Sequence, residues 1–573
     1  MIKELWKHIS RHRKMQFLLV LVIMVFASIA EVVSIGLVVP FLGVLSSPEE
    51  IYQHSLMQPI LLIWNVTEPN QLMLILTILF ISAAIVSGVI RLVLLYVITR
   101  LSFLTGADLN YSIYRRTLYQ DYSEHISRNS SEIINGLITK TSTVVNGVIT
   151  PILTILSSLI MFIGIMSALF FINITVAIIS LVGFGLLYGL VAKYTRKKLK
   201  DNSFCIAETT DQTVKILQEG VNGIRDVLIG GNQQFYCQIY KDVDMRFRLA
   251  SADNLLISGS PRYVMEAIGM ILIAGMAYAM SQQEGSMITV IPMLGALALG
   301  AQRLLPIMQQ LYGAYSSIQG SETSFRDVLK LLEQPLPGYA NQEVPLPIVF
   351  NRHININKLN FRYSEDTPWI LNNISLKIEK GSCVGFVGET GSGKSTLLDI
   401  IMGLLDPTGG HMSIDNRVVG VENMRSWQVH LAHVPQEIYL TDSTIEENIA
   451  FGVPKNKIDY DRVKTAAKKS KISESIENWP AGYRTLVGEQ GVRLSGGQKQ
   501  RIGIARALYQ QADVLIFDEA TSALDYKTEL EVMKEIRGLG EDLTILIIAH
   551  RVSTLKDCDQ VFELLDGEIK LKY

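Results

Sequence analysis

The sequence predicts a multidomain protein: an all-α domain of six membrane-spanning helices, followed by an α/β domain with a phosphate-binding loop. Two observations predict this fold class. Long apolar runs fill the chain to about residue 320, whereas the part after about residue 350 has the composition of a soluble α/β domain. In that later part, Gly388–Thr396 contains the pattern G-x-x-x-x-G-K-[ST], in which backbone amides, a lysine and a hydroxyl group surround a polyphosphate.

Composition supports a membrane protein. The 573 residues are 49% hydrophobic and 18% charged, and the mean hydropathy is +0.27, which is more apolar than a soluble protein of this length. A formal net charge of −2 gives no reason to expect a nucleic-acid partner. The four cysteines have no metal-ligand spacing and are expected to be reduced thiols on a cytosolic side; they are Cys205, Cys237, Cys383 and Cys558.

Six apolar segments are long enough to cross a bilayer as helices, which takes about 20 residues. They are residues 15–45, 71–99, 145–171, 174–192, 255–280 and 287–311. The first segment follows a basic start and could imitate a cleaved signal peptide, but its apolar pattern continues past Ala30. We therefore interpret it as an uncleaved first helix.

Loop charge predicts the orientation of these helices. Three connections contain no lysine or arginine, namely 46–70, 172–173 and 281–286, whereas two are rich in both, namely 100–128 and 193–200. Positively charged loops stay in the cytosol. The sequence therefore predicts a multi-pass protein of the plasma membrane with both termini and the α/β domain in the cytosol.

Two of the cytosolic connections are too long for simple loops. Residues 100–144 and 193–254 are mostly polar and compatible with helix, so helices 2 to 5 are expected to continue beyond the bilayer. Each pair would turn at a short segment, near 122–131 and 227–235, that could dock on the cytosolic domain. The alternative is two small soluble inserts. On the outer side, residues 49–66 indicate either an amphipathic helix on the membrane surface or a packed loop.

Three arginines lie inside the predicted spans, where a charged side chain is costly and marks a candidate functional site. Arg91, Arg262 and Arg303 each lie about 16–20 residues from the outer end of their span, a depth of about 24–30 Å. Planar guanidinium groups suit phosphate oxygens, so these residues are candidate contacts of an anionic substrate. Internal pairing is the alternative, because Glu266 follows Arg262 by one helical turn and Glu31 lies in the first span.

The two parts are predicted to meet in a linker. The stretch 334–348 is rich in proline, which interrupts regular structure, and the composition changes across it. The predicted organisation is therefore a transmembrane domain at 1–330, a linker at 331–348 and an ATPase domain at 349–573.

The phosphate-binding loop follows an apolar strand and precedes a predicted helix, so a polyphosphate would meet the positive end of that helix. Lys394 would reach the β- and γ-phosphates of ATP, and Ser395 would hold Mg²⁺. Tyr363, upstream of the loop, could stack on adenine. The predicted ATP contacts in the loop are Gly388, Glu389, Thr390, Gly391, Ser392, Gly393, Lys394, Ser395 and Thr396.

Further candidate residues follow the loop. Gln436, after a β-type run, could reach Mg²⁺ and the attacking water. Asp518 and Glu519 end an apolar strand, where Asp518 suits the Mg²⁺ shell and Glu519 could activate water for attack on the γ-phosphate. His550 ends the next strand and could contact the γ-phosphate and hold Glu519 in place. A second anion-binding helix start consists of Leu494, Ser495, Gly496, Gly497 and Gln498.

Taken in this order, the motifs of residues 349–573 resemble the nucleotide-binding domain of ABC transporters over essentially its whole length. Gly388–Ser395 resembles the Walker A motif, Leu494–Gln498 the signature motif, Val514–Asp518 the Walker B motif, and His550 the switch histidine. The resemblance implies an exporter-type fold and ATP hydrolysis coupled to transport.

The same resemblance implies an assembly. In that family the signature of one subunit caps the ATP held by the Walker A motif of the other. A chain with six spans and one such domain is then a half-transporter, expected to form a homodimer with two ATP molecules and Mg²⁺. Asp525, after the Walker B stretch, is a further expected nucleotide contact. The stretch Arg484–Glu489 resembles the exporter-type sequence before the signature, although Leu486 stands where many exporters carry an acidic residue.

Parts of the membrane half resemble one branch, the PglK family of flippases for lipid-linked oligosaccharides in bacterial N-glycosylation. This resemblance rests on residues 31–41, 261–263, 266–269 and 303–306. It implies transport of a polyprenyl-pyrophosphate-linked oligosaccharide from the cytosolic to the outer leaflet, an external helix at 49–66, and pyrophosphate contacts by Arg91, Arg262 and Arg303.

Two other functions stay open. The same scaffold could export another amphiphilic substrate, such as lipid A, a drug or a peptide, and an apolar, acidic cavity would favour that reading. A regulator or gate that uses ATP but moves nothing belongs to a different class. The complete set of catalytic motifs argues against it, because that set suggests sustained turnover. Membrane lipids are expected partners in every case.

Overall fold

The computed structural model describes residues 2–46, 49, 52, 69–172, 174–281, 287–343, 345–520, 523–538, 540, 542–549 and 555–572. These fall into two compact units, Met1–Gln120 with Ser127–Leu336, and Asp121–Ile126 with Pro337–Tyr573. The first unit is helical and the second contains both sheets, which confirms the predicted fold class. Most of the predicted surface helix at 49–66 lies outside the described residues.

The first unit is built from long helices. Its helices of seven residues or more are Ile2–His8, Arg11–Gly36, Val38–Ser46, Pro69–Leu118, Thr150–Ile172, Ile174–Asn222, Gln233–Ser281, Met287–Gly320 and Glu322–Glu333. Among the described residues, three stretches are long and apolar enough to cross a membrane: Arg11–Leu45, Gln71–Leu118 and Ser130–Phe171. Large apolar side chains such as Leu74 (63%) and Leu92 (67%) are exposed, which requires a lipid or protein partner.

Three helices are far longer than a bilayer requires. Pro69–Leu118 has 50 residues, and Ile174–Asn222 and Gln233–Ser281 have 49 each. At 1.5 Å per residue these helices are about 75 Å long, against a hydrocarbon core of about 30 Å. The polar connections are therefore helix extensions, as predicted, and the alternative of soluble inserts is wrong.

The two predicted turns between these extensions are short helices, Tyr122–Ser127 and Ile224–Ile229. The first turn groups with the second unit through Asp121–Ile126, which confirms the predicted docking for that turn. The second turn, Ile224–Ile229, belongs to the first, helical unit.

The stretch Ser130–Phe171 contains two π-helical segments, Gly136–Lys140 and Val145–Ile149, on either side of the short helix Thr141–Val144. Glycines let these segments approach their neighbours closely. A Cβ at Gly147 would lie 2.1 Å from Ser321 Oγ, and one at Gly136 would lie 2.5 Å from a methyl group of Leu331. Bulges of this kind widen one helical turn and often mark functional sites.

A buried lysine joins this bulged helix to two others. Lys140 is 7% exposed, and its Nζ donates to Asp211 Oδ2 and Asp327 Oδ2, both at 2.7 Å. Asn135 Nδ2 donates to Asp211 Oδ1 at 2.6 Å. Asp211 belongs to Ile174–Asn222 and Asp327 to the last helix before the linker, so one ammonium group holds three helices together.

Lys140→Met should lower the free energy of unfolding by roughly 2 kcal/mol, because it leaves two neighbouring carboxylates without the charge between them. The loss is smaller than for a fully buried pair, since Asp211 and Asp327 are about one-third exposed and water screens their repulsion. The thermal unfolding midpoint of the detergent-solubilised protein measures this change. Lys215→Met is the matched control, because Lys215 and Glu219 form an exposed pair. Equal and small effects of both substitutions would contradict the prediction.

The second unit contains two sheets. Their strands are β1 His353–Phe361, β2 Leu371–Glu379, β3 Cys383–Val387, β4 Gly409–Ile414, β5 Arg417–Val419, β6 Leu431–Val434, β7 Val514–Asp518, β8 Thr544–Ile548, β9 Gln560–Leu565 and β10 Glu568–Leu571. The larger sheet has the order β10-β9-β3-β8-β7-β6, with all neighbours parallel except the antiparallel pair β9–β10. The smaller sheet is antiparallel, with the order β2-β1-β4-β5.

Four helices of this unit share apolar clusters with the strands: Lys394–Ile401, Met424–Gln428, Gly496–Gln510 and Tyr526–Arg537. Three further helices pack in a separate cluster with residues of Gly496–Gln510, namely Ile445–Ile449, Tyr460–Lys469 and Ser473–Glu477. Strand β8 is buried at every position, as expected for a strand covered on both faces. Because β3, β6, β7 and β8 run parallel, the loops after their carboxyl ends meet at one edge of the sheet, where ligands bind in folds of this kind.

Candidate functional site

The phosphate-binding loop lies between β3 and the helix Lys394–Ile401. Gly388, Gly391 and Gly393 adopt φ values of 150°, 87° and 97°, which favour glycine. A Cβ at Gly388 would lie 2.3 Å from the carbonyl oxygen of Leu564. The glycines are therefore required by the turn itself, and the loop presents its backbone as an anion-binding surface.

The two polar residues that follow the loop are already oriented. Lys394 is 7% exposed, and its Nζ donates to the carbonyl oxygens of Gly388 at 2.9 Å and Glu389 at 2.8 Å. Ser395 Oγ donates to Asp518 Oδ1 at 3.4 Å. The loop thus carries a fixed positive charge, and a hydroxyl oxygen and a carboxylate oxygen lie side by side. Oxygen ligands of this kind suit Mg²⁺.

Glu519 follows β7 in a strained backbone conformation. Its φ is 50°, which costs of order 1 kcal/mol for a residue with a side chain. Its N–H donates to the carbonyl oxygen of Ile548, at the end of β8, at 3.1 Å. Gln436 Nε2 donates to Glu519 Oε2 at 2.8 Å, so two sequence-predicted residues are in direct contact. Burial raises the pKa of Asp518, and the hydrogen bond from Ser395 opposes that shift.

Asp399 was not among the site residues predicted from the sequence, although it lies one helical turn after Ser395. Burial, with the negative charge of Asp518, raises the pKa of Asp399 to about 6. Burial raises the pKa of Tyr122, on the turn Tyr122–Ser127, and Asp399 and Tyr363 raise it further. The segment Asp121–Ile126, which contains Tyr122, groups with the second unit, to which Asp399 also belongs.

Tyr363 has the exposure that an adenine platform needs. Its ring is 53% exposed and packs edge-on against Phe361, with the ring centroids 5.1 Å apart. Its hydroxyl lies 3.3 Å from Thr396 Oγ1. The tyrosine is thus held beside the phosphate-loop helix with one face available.

The signature residues form a helix start of their own. Ser495 Oγ accepts from the N–H of Gln498 at 3.3 Å, and Gln498 Oε1 accepts from the N–H of Ser495 at 2.9 Å, which is a capping box. Leu494 packs in a different apolar cluster from Leu397 of the phosphate-loop helix. The remaining residues of this helix start are Gly496 and Gly497.

Asp525 caps the helix Tyr526–Arg537 by accepting from the N–H of Thr528 at 3.0 Å. His550 lies outside the described residues.

Two of the three arginines that are predicted to lie inside membrane spans are paired. Arg91 Nη1 lies 3.6 Å from Glu31 Oε1, and Ser87 Oγ donates to Glu31 Oε2 at 2.6 Å. Arg262 Nε donates to Glu266 Oε1 at 2.7 Å. Internal pairing, which was the alternative to substrate contact, is therefore observed for both arginines. The side chain of Arg303 lies outside the described part of the structure.

Arg91 nevertheless lines a cavity of about 540 Å³ and is 41% exposed. Other polar residues of its lining are Thr99, Thr150, Thr154, Ser157, Ser158 and Gln310. Ser158 Oγ donates to Gln310 Oε1 at 3.3 Å. Thr150 Oγ1 is buried and has no hydrogen-bond partner among the described residues. In the sequence, hydroxyl residues recur at every fourth position, at 150, 154 and 158, which places them on one face of a helix. This spacing could have predicted the polar lining, but the sequence analysis did not identify it.

Family models match both the helical part of the chain and the part that contains the sheets. Residues 371–522 match the family model described as ABC transporter, and residues 15–294 match the one described as ABC transporter transmembrane region. A solved structure of a bacterial Atm1-family ABC exporter with ATP bound has a TM-score of 0.77 and 23% identity, over 98% of this chain and 95% of that one. At this identity the likeness shows the fold.

Several curated relatives carry names. A protein of Chromohalobacter salexigens named ATP-dependent lipid A-core flippase is 31% identical over 67% of this chain and 66% of its own length. A protein of the same name from Cupriavidus metallidurans is 26% identical over 86% and 82%. The leukotoxin translocation ATP-binding protein LktB of Mannheimia haemolytica is 37% identical over 47% and 38%.

Proposed function

Because the chain belongs to the ABC transporter family, in which ATP hydrolysis drives transport across a membrane, we propose that it is a half-transporter that flips an amphiphilic lipid with an anionic headgroup. One membrane region and one ATP-binding domain support a homodimer, since two of each make a transporter. The charge pattern of the loops supports insertion in a bacterial inner membrane with the ATPase domain in the cytosol.

In the nucleotide site, we propose that Gly388–Thr396 and Tyr363 bind ATP. Ser395, Asp518 and Gln436 would hold Mg²⁺, because their oxygens are the ligands that this cation prefers. Bound there, Mg²⁺ would neutralise charge on the β- and γ-phosphates. Glu519 would accept the proton of the attacking water, oriented by Gln436 at 2.8 Å. His550 is proposed to assist at the γ-phosphate.

The substrate proposal rests on the cavity beside Arg91. A guanidinium group that is still 41% exposed can bind phosphate oxygens in addition to its partner Glu31. The hydroxyl groups and the Gln310 amide around it can bind sugar hydroxyls. A polyprenyl-pyrophosphate-linked oligosaccharide combines these two chemistries, and its tail would stay in lipid. We therefore propose that this lipid class is flipped from the cytosolic to the outer leaflet, with Arg262 and Arg303 as further candidate contacts.

A second candidate substrate is favoured by the relatives. Two of them are named for lipid A-core, which also combines acidic groups with sugars. The cavity chemistry suits both lipids. ATP hydrolysis by the protein in proteoliposomes, measured with each lipid in turn, distinguishes them, because the transported lipid should stimulate hydrolysis. A protein that hydrolyses ATP but flips neither lipid would be a regulator or a transporter of another substrate.

The double variant Arg91→Ala, Glu31→Gln should reduce lipid flipping at least 10-fold while basal ATP hydrolysis stays within twofold of the wild-type rate. A hydrogen bond to a charged group contributes about 1.5–3 kcal/mol, which corresponds to a loss of this size. Removing both charges keeps Glu31, which is 2% exposed, from being left as a buried, uncompensated carboxylate. Flipping of a fluorescent pyrophosphate-linked glycan in proteoliposomes is the measurement.

Two single variants separate substrate binding from folding. Arg91→Ala alone should lower both stability and flipping, whereas Glu31→Gln alone should flip lipid because Arg91 is retained. If the double variant is well folded and flips the glycan at the wild-type rate, Arg91 has no role in substrate binding. If it loses folding and ATP hydrolysis together, the arginine is purely structural.

A further inference from the structure

Two cysteines that lie 175 positions apart in sequence come together in the second unit. Cys383 is the first residue of β3, and Cys558 precedes β9; their Sγ atoms are 2.9 Å apart. Both thiols are buried, at 7% and 8% exposure. The adjacent backbone is fixed by Asp559, whose N–H donates to the carbonyl oxygen of Cys383 and whose Oδ2 accepts from the N–H of Cys383, both at 2.8 Å.

The surroundings of the pair favour a thiolate at one of its members. Arg537 Nη2 lies 4.0 Å from Cys383 Sγ, and Arg537 is held by Asp557 through an Nη1–Oδ2 contact of 2.8 Å. The hydrogen bond from Cys558 lowers the pKa of Cys383, burial opposes that shift, and the charge of Arg537 adds to it. The pKa of Cys558 is raised, first by its hydrogen bond with Cys383 and then by burial. One thiol is thus poised as a nucleophile and the other stays protonated beside it.

A cavity lies near this pair. Arg537 and Asp557 are both part of the wall of a cavity of about 280 Å³ beside the helix Tyr526–Arg537. The same arginine touches Cys383, so one side chain connects the cavity to the sulfur pair. A hydroperoxide is small and polar enough to enter such a space.

We propose that Cys383 and Cys558 are a modification site at which a hydroperoxide forms a reversible disulfide that slows ATP hydrolysis. The Cys383 thiolate attacks the peroxide oxygen and the O–O bond breaks, giving a sulfenic acid and an alkoxide or hydroxide, which takes up the proton that Cys383 had released and leaves as alcohol or water. Cys558 sulfur then attacks the sulfenic sulfur, the S–S bond forms, and hydroxide leaves with the Cys558 proton as water. Two thiols are oxidised by two electrons, and one peroxide bond is reduced. The sulfur atoms need to close from 2.9 Å to about 2.05 Å.

The disulfide would constrain the strand that leads into the phosphate loop. Strand β3 leads directly into the phosphate loop, and Cys558 ends the connection from β8 to β9. The middle of β3 is already tightly packed against that connection, since a Cβ at Gly385 would lie 2.7 Å from Leu555 Cδ2. A covalent bond at the start of β3 would fix this connection to the strand, so any movement of the two during the ATP cycle would be hindered.

The experiment uses the full-length protein with Cys205 and Cys237 replaced by serine, so that only the pair remains. Hydrogen peroxide at low millimolar concentration should produce a peptide linking Cys383 to Cys558 and a mass decrease of about 2 Da, by non-reducing mass spectrometry. ATP hydrolysis should fall at least threefold, and dithiothreitol should restore it. Cys558→Ala preserves the small apolar side chain and should abolish both the linkage and the reversible loss.

Two results would overturn the proposal. If peroxide leaves both thiols available to iodoacetamide, or converts Cys383 to a sulfinic acid without a linked peptide, the pair is not a disulfide site. If the linked peptide forms quantitatively and ATP hydrolysis does not change, the disulfide does not regulate the enzyme. Cys383→Ala provides a second, independent variant should Cys558→Ala fold poorly. These readouts concern thiol chemistry and ATP hydrolysis, so they are independent of the lipid that is transported.

Discussion

Glu519→Gln should reduce the rate of ATP hydrolysis by about 10²–10⁴-fold and leave ATP binding intact. The substitution keeps the size of the side chain and offers a carbonyl oxygen to Gln436 Nε2, which now donates to Glu519 Oε2 at 2.8 Å. An amide cannot accept the proton of the attacking water. The contact with Gln436 is therefore kept, whereas hydrolysis of ATP is slowed. ATP should then remain trapped in the protein.

Phosphate release by the purified variant measures hydrolysis, and retention of labelled ATP after rapid desalting measures trapping. Glu531→Gln is a matched control, because Glu531 is an exposed carboxylate on the helix Tyr526–Arg537 and should change neither quantity. A Glu519→Gln variant that hydrolyses ATP at close to the wild-type rate would show that another group is the general base.

The nucleotide site could be predicted because its chemistry depends on neighbours in sequence. Gly388, Gly391 and Gly393 need positive φ for one turn, and the lysine and serine that use the turn follow at once. Asp518 and Glu519 were predictable for the same reason, since they end an apolar strand of a parallel sheet. The long helix extensions followed from polar, helix-compatible stretches that were too long for loops.

The rest depends on contacts between distant parts of the chain. The pairing of Arg91 with Glu31 joins two different helices, and the sequence placed both residues in the membrane without fixing their rotation. The Cys383–Cys558 contact depends on the parallel register of β3 with β9. Lys140 contacts carboxylates on two other helices, Asp211 and Asp327. Sequence spacing gives no information about such packing.

Ser495→Arg should abolish ATP hydrolysis, by at least 100-fold, while each subunit still binds ATP. Ser495 starts the helix Gly496–Gln510, whose first amides are proposed to cap the γ-phosphate of ATP held by the partner subunit. An arginine side chain would fill that space. The substitution also removes the cap of the helix, which costs about 1 kcal/mol. Ser495→Ala is the control for that loss, and it should keep a much larger share of the activity.

A linked dimer tests the shared site itself. In subunits that all carry Glu519→Gln, so that ATP is trapped, Lys394→Ala and Ser495→Arg are placed on the same subunit or on opposite subunits. If each ATP lies between the loop of one subunit and the signature of the other, opposite placement leaves one intact site and should trap one ATP per dimer. Placement on the same subunit damages both sites and should trap none. If each signature acted on the ATP of its own subunit, the two results would be exchanged.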